Sequence, residues 1–295
     1  MNRGFLLRHG GGVTDSDLTL HQAAESLGVH YMTAYRYVRL GLLNANKVGG
    51  VWRVDVHDLE GFRASSPATQ PSANNHVRGG RRRAPWSDRF EARLLAGDSR
   101  GAWGVIEGAL TAGAGMDEVY LDVIAPALVS IGDRWASGHL CVSIEHRASG
   151  IVGRIVGRLG PRFARRGRTR GLVVLGAVEG ERHSLPVAML ADLLRHRGWE
   201  VSDLGADVPT NSFGQFVALA ADELVAVGLS ASTDQSMAAL QATVAAVREA
   251  SPDTPIIVGG AAIKGVEHAR AIGADSFADD GRELGALLDG LRPTG

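Results

Sequence analysis

The chain has 295 residues, 45% of them hydrophobic and 21% charged, with a formal net charge of −1 and a single cysteine, Cys141. This composition is typical of a globular protein with two or three compact units, and it excludes a disordered chain. One cysteine excludes an intramolecular disulfide framework and a cysteine-based zinc cluster, and it fits a reducing cytoplasm. No apolar run reaches the about 18 residues of a membrane span, and the polar start is too short for a signal peptide, so we expect a cytoplasmic protein without a membrane partner.

The charge is unevenly distributed along the chain. Residues 1–85 contain 11 basic and 6 acidic residues, whereas residues 86–295 contain 20 basic and 26 acidic residues. A basic segment suits contact with phosphates, and an acidic one is repelled by nucleic acid. The change of sign therefore indicates that the two parts have different tasks.

Residues 17–64 have the pattern of a small DNA-binding domain. Apolar residues with helical spacing, from Leu20 to Leu27 and at Ala34 and Val38, predict two short helices separated by a turn at Gly28. The following KVGGVWRV predicts a β-hairpin that forms a wing, and VDVHDLEGF predicts a closing helix. Together these elements predict a winged helix-turn-helix.

This pattern resembles the excisionase and MerR-like group of winged helix-turn-helix domains. The resemblance implies operator DNA as a partner, with the second helix in a major groove and the wing on the phosphate backbone. Tyr35 and Tyr37 are expected to pack within the domain instead. The residues expected to contact DNA are Tyr31, Thr33 and Arg36, with His30 as a further candidate, and Lys47 and Arg53 on the wing.

Two different segments follow this domain. Residues 65–85, SSPATQPSANNHVRGGRRRAP, are rich in proline, glycine and small polar residues and predict a flexible linker. Its run of three arginines either contacts DNA phosphates or is a solvated part of the tether. Residues 86–162 contain four amphipathic segments separated by breaks with glycine or aspartate, and they predict a four-helix bundle.

Between residues 168 and 292 the periodicity changes to five short apolar runs that alternate with helical segments. Five such units predict an open parallel sheet with helices on both faces, a flavodoxin-like domain, so the whole chain is a multidomain α/β protein. Ligands of such sheets bind at the carboxyl ends of the strands. Three polar or glycine-rich loops reach this edge: ERHS after the first strand, LSAST after the third and GGAA after the fourth.

These loops resemble those of the cobalamin-binding domain shared by methionine synthase, the corrinoid methyltransferases and the CarH/LitR photoreceptor regulators. The family pattern of Asp-x-His-x-x-Gly, Ser-x-Leu and Gly-Gly is matched by Glu181, His183, Ser230, Gly259 and Gly260. The resemblance implies that His183 is the lower axial ligand of cobalt and that Glu181 orients it. It also implies that Ser230 and Ser232 belong to the loop that contacts the buried nucleotide tail, while the two glycines allow the backbone to approach the tail closely.

The chain departs from this pattern at two positions. Glutamate replaces the usual aspartate at position 181, and Pro186 stands where the family has glycine. Because proline is tolerated in the first turn of a helix, Ser184 is expected to cap a helix that begins at Leu185. The alternative for His183 is a histidine that only forms hydrogen bonds in a turn.

The bundle carries a second match. Trp135 is followed after nine residues by Glu145 and His146, a spacing that resembles the helical bundle of the CarH/LitR family. The resemblance implies that these side chains cover the upper face of cobalamin and leave room for an adenosyl group. Without it, Trp135 would be a core aromatic residue, and Glu145 and His146 a surface pair.

The order of the domains resembles that of the light-dependent repressors of this family. The resemblance implies a transcription regulator without enzymatic activity, with adenosylcobalamin as its chromophore. It also implies a homo-oligomer, a dimer or a tetramer, whose assembly and DNA binding change when light breaks the cobalt–carbon bond.

One further departure leaves other functions open. In the best-known branch of the family a histidine follows the tryptophan and binds cobalt after photolysis, whereas this chain has Ala136. His139 or His146 would then replace it, or no such adduct forms. The alternatives are a photocobilin-like sensor that also binds a bilin, a corrinoid carrier for methyl transfer, and a redox or cobalamin-level sensor.

Overall fold

The structure is a computed structural model that describes residues 17–27, 34–35, 37–38, 43–48, 51–65, 85–165, 167–220 and 222–291. The chain forms two compact units. The first contains Met1–Arg82 and Ala136–His139, and the second contains Arg83–Trp135 and Leu140–Gly295.

The first unit contains a small antiparallel sheet packed against helices. Its described residues include β1 (Asp17–Thr19), α1 (Leu20–Leu27), β2 (Asn46–Val48), β3 (Val51–Asp55) and α2 (Val56–Ser65), and residues 34–35 and 37–38 are also helical. The strand order is β1-β3-β2, and the β2–β3 pair is the predicted wing hairpin. Thr19 and Gln22 cap α1 reciprocally, because each backbone N–H donates to the other's side chain, at 2.9 Å and 3.3 Å. Strand β1 was not predicted, since three residues are too few to show an alternating pattern.

Apolar side chains on one side of α1 form the core of this unit. Leu20, Ala23, Ala24 and Leu27 are buried there, as their helical spacing predicts, and they meet residues of β3 and α2. Tyr35 and Tyr37 pack against the same core, and the ring centroids of Tyr37 and Phe62 lie 4.8 Å apart. These two tyrosines therefore pack within the domain, as expected.

The four predicted bundle helices are present in the second unit. They are α3 (Trp86–Ala96), α4 (Ser99–Thr111), α5, which runs through Met116–Glu118, a π-helical turn at Val119–Ile124 and Ala125–Ala136, and α6 (Val142–Leu159). The carboxylate of Asp98 accepts the N–H of Gly101 at 2.8 Å and thus caps α4. Across the described part of the chain, no helix is both long and apolar enough to cross a membrane.

The remainder of the second unit is the predicted five-stranded parallel sheet. Its strands β4 to β8 lie in the order β5-β4-β6-β7-β8. The strands are β4 (Leu172–Ala177), β5 (Glu200–Asp203), β6 (Leu224–Ser230), β7 (Ile256–Gly259) and β8 (Ser276–Ala278). The helices are α7 (Ser184–His196), α8 (Thr210–Ala220), α9 (Met237–Ala250), α10 (Val266–Ala271) and α11 (Gly281–Asp289).

Alternate residues of each strand face opposite sides of the sheet. Leu172 and Val174 contact the layer of α8, α9 and α10, whereas Val173 and Leu175 contact α7 and α11. All six residues of β4 are buried, as expected for the central part of a sheet covered on both faces.

Helix α7 joins the bundle to the sheet. Its residues Met189 and Leu193 belong to the bundle core, whereas residues on its other side pack on the sheet. Between α5 and α7, the buried hydroxyl of Tyr120 donates to Asp192 Oδ2 at 2.8 Å. A second link joins α11 to α5, where the guanidinium of Arg282 donates to Asp122 at 2.8 Å. The helix that begins directly after His183 is thus held by both the bundle and the sheet.

Candidate functional site

The predicted site residues of the sheet lie at the carboxyl edge of its strands. Because β4 lies between β5 and β6, the loops that follow these three strands are neighbours. Val178, just beyond β4, donates its N–H to Ser230 O at 3.2 Å and pairs with Val208 after β5. The sheet therefore brings the loop of His183 next to the loop of Ser230, as predicted.

Glu181 is the buried centre of this edge, with 1% of its surface exposed. Its Oε1 accepts the N–H of His183 at 3.1 Å and also bonds to Nδ1 of the same histidine, while Oε2 accepts the N–H of Ser232. Burial raises the pKa of Glu181, but these hydrogen bonds more than offset it and lower the pKa to about 2. Glu181 is therefore a carboxylate that holds two loops together.

The ionised Glu181 determines which nitrogen of His183 carries a proton. A carboxylate only accepts hydrogen bonds, so Nδ1 must be the donor, and in the neutral ring Nε2 then keeps a lone pair. The side chain of His183 is 57% exposed, so this lone pair is accessible to a ligand. The hydrogen bond to Glu181 raises the pKa of His183 against the effect of burial, and the charges of Glu181 and Glu145 add to it. The pair has the form of a metal ligand with an orienting carboxylate.

The start of α7 differs from the expectation. His183 itself occupies the N-cap position, Ser184 is the first helical residue, and no side chain caps the helix. The prediction that Ser184 caps a helix starting at Leu185 is therefore wrong. The carboxylate of Glu181 already accepts the N–H and the ring proton of His183, and this fixes the turn one residue earlier. Pro186 lies in the first turn, where proline is tolerated.

The loop after β5 contributes a residue that the sequence pattern did not indicate. Asp207 donates its N–H to Glu181 O at 2.8 Å, and its Oδ1 accepts the N–H of Gly180 at 2.7 Å. Asp207 has a left-handed backbone conformation with a φ of 56°, which aspartate tolerates better than most residues. The recognised motifs lie only in the loops after the first, third and fourth strands, so the position of β5 beside β4 was the signal that could have indicated Asp207.

Gly259 and Gly260 are required by the protein's own backbone. A Cβ at Gly259 would lie 2.8 Å from Ala278 O, and one at Gly260 would lie 2.3 Å from Ala231 O. Gly260 also has a positive φ of 106°. The sequence predicts that these glycines allow a ligand to approach, and the close contact between β6, β7 and β8 is a second reason for glycine at both positions.

The bundle residues of the second match lie at the end of α5 and the start of α6. Trp135 is 45% exposed, unusual for a large apolar side chain, and Val142 is 47% exposed. Glu145 bonds to Nδ1 of His146 at 2.6 Å and accepts the hydroxyl of Ser149 at 2.7 Å. Helix α6 passes near the start of α7, because a Cβ at Gly153 of α6 would lie 3.8 Å from Cδ2 of Leu185, two residues after His183.

The predicted DNA-contacting residues are only partly covered by the structure. Tyr31, Thr33, Arg36 and His30 lie outside the described residues. Lys47 lies on β2 opposite Trp52, and Arg53 lies on β3, where it pairs in register with Asn46 and Thr19. The two basic residues thus stand on the wing sheet, where the sequence places them.

The donor set at this edge suits a metal that brings most of its own ligands. Within the ranges that the structure describes, no three His, Cys, Asp or Glu side chains are placed to hold a metal ion together. A single oriented imidazole would be a weak site for a free ion. It fits a corrinoid, which would bring nitrogen ligands of its own for cobalt, so that His183 would be the residue that holds the metal.

Replacing Glu181 with glutamine is expected to lower the affinity for cobalamin by about 10- to 100-fold, because the amide no longer fixes the proton on Nδ1 of His183. The affinity is measured by titrating cobalamin and following its absorption. Glu179→Gln is the matched control, since Glu179 is exposed and lies in the same loop. Equal cobalamin affinities of the Glu181→Gln variant and the wild type would show that Glu181 does not orient His183.

The same variant has a pH signature in the cobalamin-free protein. Because the pKa of Glu181 falls from 4.5 to about 2 on folding, its ionised form stabilises the fold above pH 4.5. This stabilisation is lost as the pH falls from 4.5 towards 2. The difference in unfolding free energy between the wild type and Glu181→Gln should therefore shrink over that window in urea titrations.

Three family models match the chain. A helix-turn-helix domain matches residues 18–66, and two models described as B12 binding domains match residues 86–159 and 171–288. The two B12 matches confirm cobalamin as the cofactor. The combination of three domains also confirms the CarH-like architecture expected from the sequence.

Curated relatives include regulators and corrinoid proteins. The HTH-type transcriptional repressor CarH of Myxococcus xanthus is 37% identical over 145 residues, which are 48% of this chain and 47% of that protein. The trimethylamine corrinoid protein of Methanosarcina barkeri is 27% identical over 186 residues, which are 61% of this chain and 84% of that protein. The chain therefore spans about half the length of CarH.

A solved structure supports the fold of the second unit. The monomethylamine corrinoid protein of Methanosarcina barkeri superposes with a TM-score of 0.62, over 69% of this chain and 97% of that one. At 19% sequence identity the match shows a shared fold.

Proposed function

We propose that this chain, with its CarH-like order of a helix-turn-helix domain and two B12-binding domains, is a cobalamin-dependent transcription regulator that responds to light. The observation that carries the proposal is the presence of all three domains in one chain. A cobalamin carrier has no need of a helix-turn-helix, and a simple repressor has no need of a cobalamin site. The sequence similarity to the CarH repressor supports the same combination.

The sheet residues would hold the cofactor from below. Glu181 keeps the proton on Nδ1 of His183, so that Nε2 is free to bind cobalt. Ser230 ends β6 and Ser232 lies on the loop after it, and their hydroxyls would contact the nucleotide tail. Gly259 and Gly260 place no side chain at the end of the neighbouring strand β7.

The bundle residues would cover the other side. Trp135 offers an exposed apolar surface, and Glu145 and His146 offer hydrogen-bonding groups at the start of α6. Adenosylcobalamin supplies a cobalt–carbon bond that breaks in visible light. Because Trp135 lies on α5 one turn after Ile131 of the bundle core, a change in what Trp135 contacts would act on a helix of that core.

DNA binding would depend on how many copies of the chain assemble. A single small winged helix binds DNA weakly, whereas linked copies gain effective concentration. We therefore propose a homo-oligomer, a dimer or a tetramer, whose assembly changes on illumination. Tyr31, Thr33, Arg36, Lys47 and Arg53 would contact the operator. This role requires no enzymatic activity.

A corrinoid carrier for methyl transfer is the second candidate. Similarity to the trimethylamine corrinoid protein over 84% of that protein favours it, but a methyl carrier does not explain the helix-turn-helix domain.

A photocobilin-like sensor is a further candidate that agrees with Ala136. The visible spectrum of the protein as purified would reveal a bilin beside the corrinoid.

The proposal is tested by measuring DNA affinity with and without adenosylcobalamin, in darkness and after green illumination. The probe is the duplex pool that the full chain selects from a random-sequence library. We expect affinity to depend on the cofactor and to change after illumination. An affinity that is the same under all four conditions would rule out the regulator, and a DNA affinity that responds to the cofactor but not to light would leave a cobalamin-level sensor.

A further inference from the structure

One segment of the second unit is strongly basic. Residues 146–178 contain eight arginines and no acidic residue, whereas residues 86–145 and 179–295 together contain 12 basic and 26 acidic residues. Five of these arginines are exposed side chains between the middle of α6 and the start of β4, and we call them the basic strip: Arg154, Arg158, Arg162, Arg165 and Arg168.

The geometry of the strip places like charges close together. Arg154, Arg158 and Arg162 are four residues apart on α6 and the 3-10 turn Gly160–Arg162 that continues it, so they share one helix face. Like charges at this spacing destabilise a helix. Arg158 is held by stacking on Trp103, with its guanidinium carbon 3.7 Å from the ring centroid. A bound anion would offset the repulsion.

The strip differs from other arginines of the same unit in its partners. Arg195 pairs with Asp192, and Arg170 and Arg197 share Asp289. By contrast, the five strip guanidiniums have no carboxylate within ion-pair distance in the described part of the chain. Their charge is therefore available to an anion from outside.

One end of the strip is concave. Arg165, Arg168 and Thr169 line a depression of about 240 Å³ together with Glu200 and Trp199. The indole Nε1 of Trp199 is buried and has no hydrogen-bond partner in the described part of the chain. Guanidinium and hydroxyl groups around one concavity are donors that bind phosphate oxygens.

We propose that the basic strip is a second DNA-binding surface, which contacts backbone phosphates without reading bases. The inference rests on the proposed function, because a DNA regulator with a net acidic second unit would otherwise repel the duplex from that unit. The strip reaches the amino edge of the sheet, whereas His183 lies at the carboxyl edge. Its substitution should therefore leave the cofactor site intact.

The test uses the full-length, cobalamin-loaded chain and a mixed-sequence DNA duplex, with affinity measured as a function of salt. The test variant replaces four arginines of the basic strip with glutamine: Arg154→Gln, Arg162→Gln, Arg165→Gln and Arg168→Gln. The slope of log affinity against log salt should fall by about 2 to 4 in magnitude, since each phosphate contact contributes about 0.9. The same four changes to lysine keep the charge and should keep most of the slope. Glutamine at Arg89, Arg93, Arg100 and Arg270 alters the net charge equally outside the strip and should leave the slope unchanged.

The outcomes separate the strip from the proposed function. A retained cobalamin spectrum shows that the fourfold variant is folded, and if it is lost, Arg165→Gln with Arg168→Gln is used with an expected fall of about 1 to 2. A slope that does not fall, or that falls equally in the control, would show that the basic strip does not contact DNA. DNA binding by the wild type would still support the proposed regulator function. A wild type that binds no duplex overturns both. If the fourfold variant elutes at a different volume from the wild type but keeps its salt slope, the basic strip contacts other copies of the chain and not DNA.

Discussion

Replacing His183 with alanine is expected to abolish the absorption spectrum of a histidine-ligated corrinoid. His183 is the residue at the carboxyl edge whose ring combines an orienting carboxylate with an accessible second nitrogen. Alanine removes the axial donor and leaves the buried carboxylate of Glu181 without one of its hydrogen bonds. The measurement is the visible spectrum of the protein after incubation with cobalamin, together with the fraction of cofactor retained on gel filtration.

A matched variant controls for the loss of any histidine. His268 on α10 is half-buried and accepts the N–H of Lys264 with its Nδ1, and His268→Ala should leave the spectrum unchanged. A histidine-ligated spectrum that persists in His183→Ala would assign the lower ligand to another residue. An unchanged spectrum for His268→Ala alone, with loss in His183→Ala, is the result that we expect.

Deleting residues 1–64 is expected to abolish specific DNA binding while the cobalamin spectrum is retained. The deletion removes the whole predicted winged domain, and specific complexes are typically at least about 1,000-fold tighter than non-specific ones. Gel-shift titrations with the selected duplex pool measure the loss. The weak affinity that remains should be lost steeply with added salt, because only phosphate contacts are left.

The cofactor spectrum is the internal control for this deletion, since the second unit has its own core. A truncated chain that still discriminates the selected pool from mixed sequence would place base recognition outside residues 1–64. A chain that loses both DNA binding and the spectrum would show that the two units depend on each other.

The sequence predicted the architecture well because its periodicity is clear. The change from helical to strand spacing near residue 168 and the regular β-α alternation predicted all five parallel strands, and family matches confirm the domain types. Strand β1 was missed because its identity depends on pairing with β3, which no local pattern reveals. The predicted start of α7 was wrong by one residue, because the hydrogen bonds of Glu181 determine where this helix begins.

The candidate site could be predicted only as far as its motifs extend. Glu181 and His183 are two residues apart, and the structure shows the contact between them. Asp207 follows β5 and contacts the loop of His183. This contact could be predicted only from the order of the strands. Gly259 and Gly260 illustrate a different limit, because a motif shows that a side chain is excluded but not which atoms exclude it. The basic strip was also missed, since its charge is masked in the net charge of residues 86–295.

The measurement that tests the central claim most directly is a single gel-filtration experiment on the full chain loaded with adenosylcobalamin. Absorption and elution volume are recorded in darkness and again after green illumination of the same sample. We expect the corrinoid spectrum to change on illumination and the elution volume to change with it. A spectrum and an elution volume that are both identical in darkness and after illumination would contradict this expectation.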